Sequence, residues 1–178
     1  MSCLSWNCQG LGNPGAVHEL HGIVKQEVLG LLFVMETKIA AGRVESLQNL
    51  FGFAGYFAVN SVGLSGGIGM FWTADFDVEL KNYSAGHIDV MVQRKNNVAM
   101  VWRVTGFYGA PRAEDRHHSW RFMRTLFASM KSRCASEISM KSCLVLNTSR
   151  EHHVPSGRCV RSGKSQMSVC LLIWDGRE

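Results

Sequence analysis

Asn7, Glu36 and Tyr108 each stand where an apolar run stops. Asn7 closes the first run, in "LSWNCQGLGNP" (Leu4 to Pro14). Glu36 directly follows "LLFVM" (Leu31 to Met35), and Tyr108 ends "VTGFY" ahead of "GAP". Polar groups at the ends of neighbouring strands can converge on one edge of a sheet and form a site. A carboxylate such as Glu36 is a hard oxygen ligand suited to Mg²⁺ or Mn²⁺. Asn7 could join it at the metal or hold a phosphate oxygen, and the Tyr108 hydroxyl could donate to a phosphate. Such a set suits metal-assisted phosphodiester hydrolysis. Each residue also has a plainer reading: Asn7 as a turn residue, Glu36 as a solvated or helix-entry residue, Tyr108 as a half-buried aromatic. "SGGIG" (Ser65 to Gly69) lacks the lysine and following helix of a phosphate loop, and reads as a tight turn into a strand. His117 and His118 open a helix and are expected to face water.

The elements that must position these residues follow from periodicity. Residues 2–7 read as a strand. Ala16 to Val28 reads as a helix, with Val17, Leu20, Ile23, Val24 and Val28 on one face, Asn13 as its cap and Pro14 at its first position. The unbroken run "LLFVM" suits a strand covered on both faces. A second helix is expected over Ala41 to Phe51, ahead of Gly52. "YFAVN", "GIGMFW", "FDVELKNY", "HIDVMVQR" and "AMVWRVTGFY" follow as strands and read together as an antiparallel meander, with a turn at "RKNNVA". In "HIDVMVQR", His87, Asp89, Met91 and Gln93 alternate against Ile88, Val90, Val92 and Arg94. Glu114 to Lys131 reads as a helix whose inner face carries Trp120, Met123, Leu126, Phe127 and Met130. The order β-α-β-α, then strands, then a helix, points to a layered α/β or α+β fold built on sheets.

Composition bounds the function. The chain has 178 residues, 46% hydrophobic and 19% charged, as a globular domain does. No apolar run approaches the ~20 residues that span a bilayer, and no secretory segment is read. The six cysteines form no CxxC pair, which argues against zinc and for free thiols in a reducing compartment. The net charge of +5 is uneven. Residues 128–178 hold 8 basic and 4 acidic residues, so they carry +4 of it. The same segment has ten serines and little periodicity, and its apolar runs "CLVL" and "VCLLIW" have no clear partners in the pattern.

Taken in order, "LSWNCQGLGNP", "LLFVMETK", "SGGIGMFW" and "TGFYGAP" resemble the endonuclease/exonuclease/phosphatase family. Within it they are most similar to the endonuclease domain of plant LINE-type (non-LTR) retrotransposons. The resemblance covers residues 1–127. It implies a four-layered α/β sandwich, two packed sheets flanked by helices, that nicks DNA in the nucleus or cytoplasm. It implies Mg²⁺ or Mn²⁺ as the cofactor, no small-molecule cofactor and no membrane. Asn7 would lie at the metal and phosphate site, Glu36 would be a metal ligand and Tyr108 a phosphate contact. Arg112, just past Pro111, would touch nucleic acid.

The pattern then departs from the family. A "GDFNE"-type strand end should supply a water-activating Asp and a partner Asn, and a later "SDH"-like motif the catalytic His. Neither occurs here; Asp175 sits in "IWDGRE" without a neighbouring His, and His152 and His153 lie in "REHHVP". In the neighbouring reading frame, one permitted coding of Cys134 to Ser142 spells C-I-G-D-F-N-E-V. The resemblance therefore implies an incomplete second half: a partial domain at 1–127 and a divergent, frame-shifted, largely irregular tail at 128–178. Three functions remain open. The first is a truncated, inactive endonuclease whose metal is weakly held. The second is a non-catalytic nucleic-acid-binding remnant whose basic tail attracts phosphate. The third is a degenerate gene product without function.

Overall fold

The computed structural model describes residues 1–63 and 65–108 (of 98–100 the backbone alone), the single residues 114, 117, 121, 124 and 125, and the backbone of 140–147 and 168–176. Its elements are β1 (Cys3–Asn7), α1 (Pro14–Gln26), β2 (Leu31–Met35), α2 (Ala41–Phe51), β3 (Gly55–Val62), β4 (Ser65–Trp72), β5 (Phe76–Ser84), β6 (His87–Arg94), β7 (Asn97–Phe107), β8 (Met140–Asn147) and β9 (Ser168–Gly176). They form two sheets, ordered β1-β2-β4-β3 and β5-β6-β7-β9-β8. The architecture is a layered α/β sandwich.

β2 explains the layering. Its five residues are all buried, and they divide by parity. Leu31, Phe33 and Met35 join a core with Ile68, Met70, Ile88, Val90, Val92 and Val104, which lies between the sheets. Leu32 and Val34 join Leu4, Trp6, Leu20, Val44, Phe51 and Phe71, under the two helices. A strand with a core on each side has no wet face, so its sequence cannot alternate.

α1 starts one turn earlier than its apolar stripe. Asn13 has extended backbone, and its side chain accepts a hydrogen bond from Gly15 N at 2.9 Å, with Pro14 the first helical residue. The helix ends at Gln26, so Val28 falls beyond it and is 92% exposed rather than on the apolar face. α2 ends as its sequence says, on Gly52 in the left-handed region at φ 76°.

The five central strands pair antiparallel within two separate groups and are not one meander. β3 and β4 pair with each other, and β4 pairs with β2, so both belong to the first sheet. β5, β6 and β7 form the meander of the second. The chain changes sheets between Trp72 and Phe76. Alternation reports which face of a strand is wet, and it does not report which sheet the strand joins.

The apolar runs of the tail do have partners. β9 pairs with β7 from Phe107↔Val169 to Met100↔Gly176, and β8 pairs with β9. The expected helix 114–131 falls mostly outside the described residues; His117, Arg121, Arg124 and Thr125 within it are helical, and His117 is exposed as expected. His118 lies outside them. Among the described residues no helix is long and apolar enough to cross a membrane.

The polar positions of β6 depart from a solvated face. Asp89 is fully buried, and His87 nearly so. The Asp89 carboxylate takes two-pronged hydrogen bonds from Arg103, at 3.1 and 2.7 Å, and one from Thr105 Oγ1 at 2.9 Å. Burial holds the His87 imidazole below its ordinary value, opposed by the nearby Asp89 charge.

Candidate active site

β1 and β2 run parallel, with Asn7 in register with Met35. Their carboxyl ends therefore place Asn7 and the next residue, Glu36, side by side at one edge. In open α/β sheets this is the edge where ligands bind. β7 brings Tyr108 to it from the second sheet, and Tyr108 N is anchored by Gly86 O at 2.7 Å. The Tyr108 hydroxyl donates to Glu36 Oε1 at 2.8 Å, joining residues 72 apart in sequence. The other carboxylate oxygen, Oε2, faces Lys38 Nζ at 3.6 Å.

The backbone here is strained. Among the described residues, those with positive φ other than glycine are Gln9 at 48°, Glu36 at 55° and Lys38 at 52°. Side chains avoid that region, and holding one there costs roughly 1–3 kcal/mol. The loop is pinned from both sides. Thr37 N and Lys38 N donate to Gly67 O and Gly66 O at 3.0 and 3.1 Å, and Leu11 N donates to Thr37 O at 2.8 Å. A side chain on Gly67 would run into Thr37 Oγ1, whereas Gly66 has open space around it and shares with Gly67 only a positive φ, 72° and 80°. Ser65 to Gly69 are not a turn, as the sequence suggested, but the first residues of β4, paired with β3 from Val62↔Ser65 onward.

Asn7 uses its oxygen locally, accepting from Gln9 N at 3.1 Å in an Asx turn. Its amide nitrogen is buried and has no hydrogen-bond partner among the described residues, and the same holds for Thr37 Oγ1. A buried donor without a partner is uncommon, because it forfeits its hydration. Of the sequence candidates, then, Glu36 and Tyr108 are in direct contact and Asn7 stands one strand away. Arg112 lies outside the described residues. The site also includes Lys38, which the sequence reading does not single out; its spacing of two from Glu36 within "METK" is the signal of the pair.

Cys8 lies under this edge. Its thiol donates to Met35 O at 2.9 Å, and burial pushes it up from 9.0 to about 12. Burial, and then the bond to Glu36, likewise raise the Tyr108 phenol above 10.0. Both groups keep their protons in the fold at pH values where the unfolded chain has lost them. Their stabilisation is complete below pH 9 and drains away as pH rises from there toward 12. Each group contributes a slope of at most about 1.4 kcal/mol per pH unit. Urea midpoints taken across this range should fall, and Cys8→Ala should flatten the fall between 9 and 10. An unchanged slope in that variant would mean that the thiol titrates freely.

Fold and site thus define a layered α/β sandwich with a carboxylate–tyrosine–lysine cluster at the carboxyl ends of its parallel strands. No protein-family model matches the chain, and no curated protein matches it significantly.

The donor set can be tested against a divalent metal. Mg²⁺ asks for oxygen ligands in near-octahedral geometry, usually with one or two carboxylates. Among the described residues no group of three or more His, Cys, Asp or Glu could hold a metal. Glu36 offers one oxygen to a tyrosine and the other to an ammonium, and the Asn7 oxygen is taken up by Gln9 N. As arranged, these residues do not fit a divalent cation.

Proposed function

We propose that residues 1–127 are a domain of the endonuclease/exonuclease/phosphatase kind, resembling a LINE-type endonuclease, that contacts nucleic-acid phosphate without hydrolysing it. The observation that carries this reading is the Tyr108–Glu36 hydrogen bond at 2.8 Å. It joins two of the motifs behind the resemblance, at the strand ends where Asn7 also stands. Nucleic acid places such a protein in the nucleus or cytoplasm; the charge that favours phosphate, +4 of the net +5, lies in residues 128–178 and not in the domain itself.

Hydrolysis needs an activated water as well as a bound phosphate. A positioned base is typically worth about 10²–10⁴-fold, and the sequence carries neither the "GDFNE"-type Asp nor the "SDH"-type His. The full chain should therefore nick supercoiled plasmid in Mg²⁺ no faster than Glu36→Ala. It should still bind duplex DNA, with an affinity that falls as a power of salt concentration. Glu36-dependent nicking would overturn the inactive reading, and salt-insensitive or absent binding would overturn the nucleic-acid reading.

A further inference from the structure

We propose that Lys38 is the resident cation of Glu36, held on the side of the carboxylate that a divalent metal would need. This rests on reading Glu36 as the site carboxylate and replaces the metal that the resemblance implies. Glu36 is only 8% exposed. An ionised carboxylate so placed requires a counter-charge and hydrogen bonds, because desolvation without them is expensive. Tyr108 supplies the hydrogen bond to Oε1, and Lys38 supplies the charge beside Oε2 at 3.6 Å.

The loop builds this pairing at a cost. Glu36 and Lys38 both adopt positive φ, on either side of a Thr37 that is pinned by Gly67 and Leu11. An ordinary extended tripeptide would avoid that strain. The stem of Lys38 runs over Gly10, with Cδ 3.7 Å from where a Cβ on that glycine would stand. Gly10 itself has φ 116°, so the turn after Asn7 shapes the floor on which the lysine lies. Three features of the two motifs, Gly10, strained Glu36 and strained Lys38, thus serve one contact. A metal arriving at Oε2 would meet the Lys38 ammonium there, and although that side chain keeps 38% of its surface in water, the metal must displace it to reach the carboxylate.

The test is titration of Mn²⁺ into the full chain, followed by the electron paramagnetic resonance of free Mn²⁺ and by the thermal midpoint. Wild type should show no saturable binding at low millimolar Mn²⁺ and no shift in midpoint. Lys38→Met should unfold at lower temperature without metal, gain about tenfold or more in apparent Mn²⁺ affinity, and recover its midpoint as Mn²⁺ is added. Lys38→Met/Glu36→Gln should lose both responses, and Lys38→Arg should behave as wild type. Should Lys38→Met fail to fold, Lys38→Gln, which keeps a donor beside Glu36, carries the same comparison. Saturable Glu36-dependent binding by wild type would overturn the proposal, as would a folded Lys38→Met or Lys38→Gln protein indifferent to Mn²⁺. Nicking and DNA binding are separate readouts, so a failure here is distinguishable from a failure of the functional reading.

Discussion

Asp89→Ala is expected to destabilise the fold by about 3 kcal/mol. Asp89 is fully buried and holds Arg103 through two-pronged bonds, with Thr105 on the same oxygens. Removing one partner of a buried ion pair typically costs about 3–5 kcal/mol, because the other charge is left without compensation. The lower end applies here, since the Arg103 side chain keeps 20% of its surface in water and can turn toward it. Against a total stability of roughly 5–15 kcal/mol, that is a large fraction. Urea unfolding at pH 7 would show a lower midpoint with an unchanged slope. Asp89→Ala/Arg103→Met should recover much of the loss, because an apolar pair of similar volume can replace a buried ion pair. A loss under about 1 kcal/mol would mean that the cluster does not hold β6 and β7 together.

That cluster marks the limit of what alternation conveys. His87 and Asp89 sit on the polar parity of β6, and a polar parity is ordinarily a wet face. Here it is covered, and the carboxylate is satisfied from β7, fourteen and sixteen residues away. Nothing in the local pattern of "HIDVMVQR" distinguishes a solvated Asp from one sealed against an arginine. The bounds of β1, β2 and α2, by contrast, were nearly all local: an apolar run, a capping glycine, a strand end. That Glu36 and Tyr108 share an edge was expected from their places at strand ends; their hydrogen bond was not, since the pattern gave the Tyr108 hydroxyl to a phosphate and it donates to Glu36 instead. The pairing of β7 with β9 was not legible, because "VCLLIW" meets its partner only after a separation that no periodicity spans. The partition of the strands into two sheets was equally hidden. It is decided by the short connection from Trp72 to Phe76, whose residues are compatible with continuing either sheet.

Replacing Gly106 by Val should lower stability by at least about 3 kcal/mol, at the upper end of what overpacking costs. Gly106 belongs to β7 and faces the first sheet, where the fully buried ring of Phe33 lies across it. A carbon added at Gly106 would overlap Cγ, Cδ2 and Cε2 of that ring. The glycine is required for space and not for backbone freedom, since it is absent from the described glycines with positive φ. Phe33 cannot withdraw, because Met35, Met70, Ile88 and Val104 fill the same layer. The sheets must then separate locally or the ring must leave its place. Phe33→Ala alone should cost about 4 kcal/mol through the cavity that it opens. Gly106→Val/Phe33→Ala should lose less than the sum of the two by more than about 1 kcal/mol, because each change relieves the other. The double-mutant cycle is read from urea midpoints. Additive losses, or a Gly106→Val variant within about 0.5 kcal/mol of wild type, would show that the sheets do not meet at this pair. Gly106 also lies two residues before Tyr108 on the same strand. Displacement of β7 would therefore draw the hydroxyl away from Glu36, and the phenol in the variant should titrate closer to its ordinary 10.0 than in wild type, where burial and Glu36 raise it.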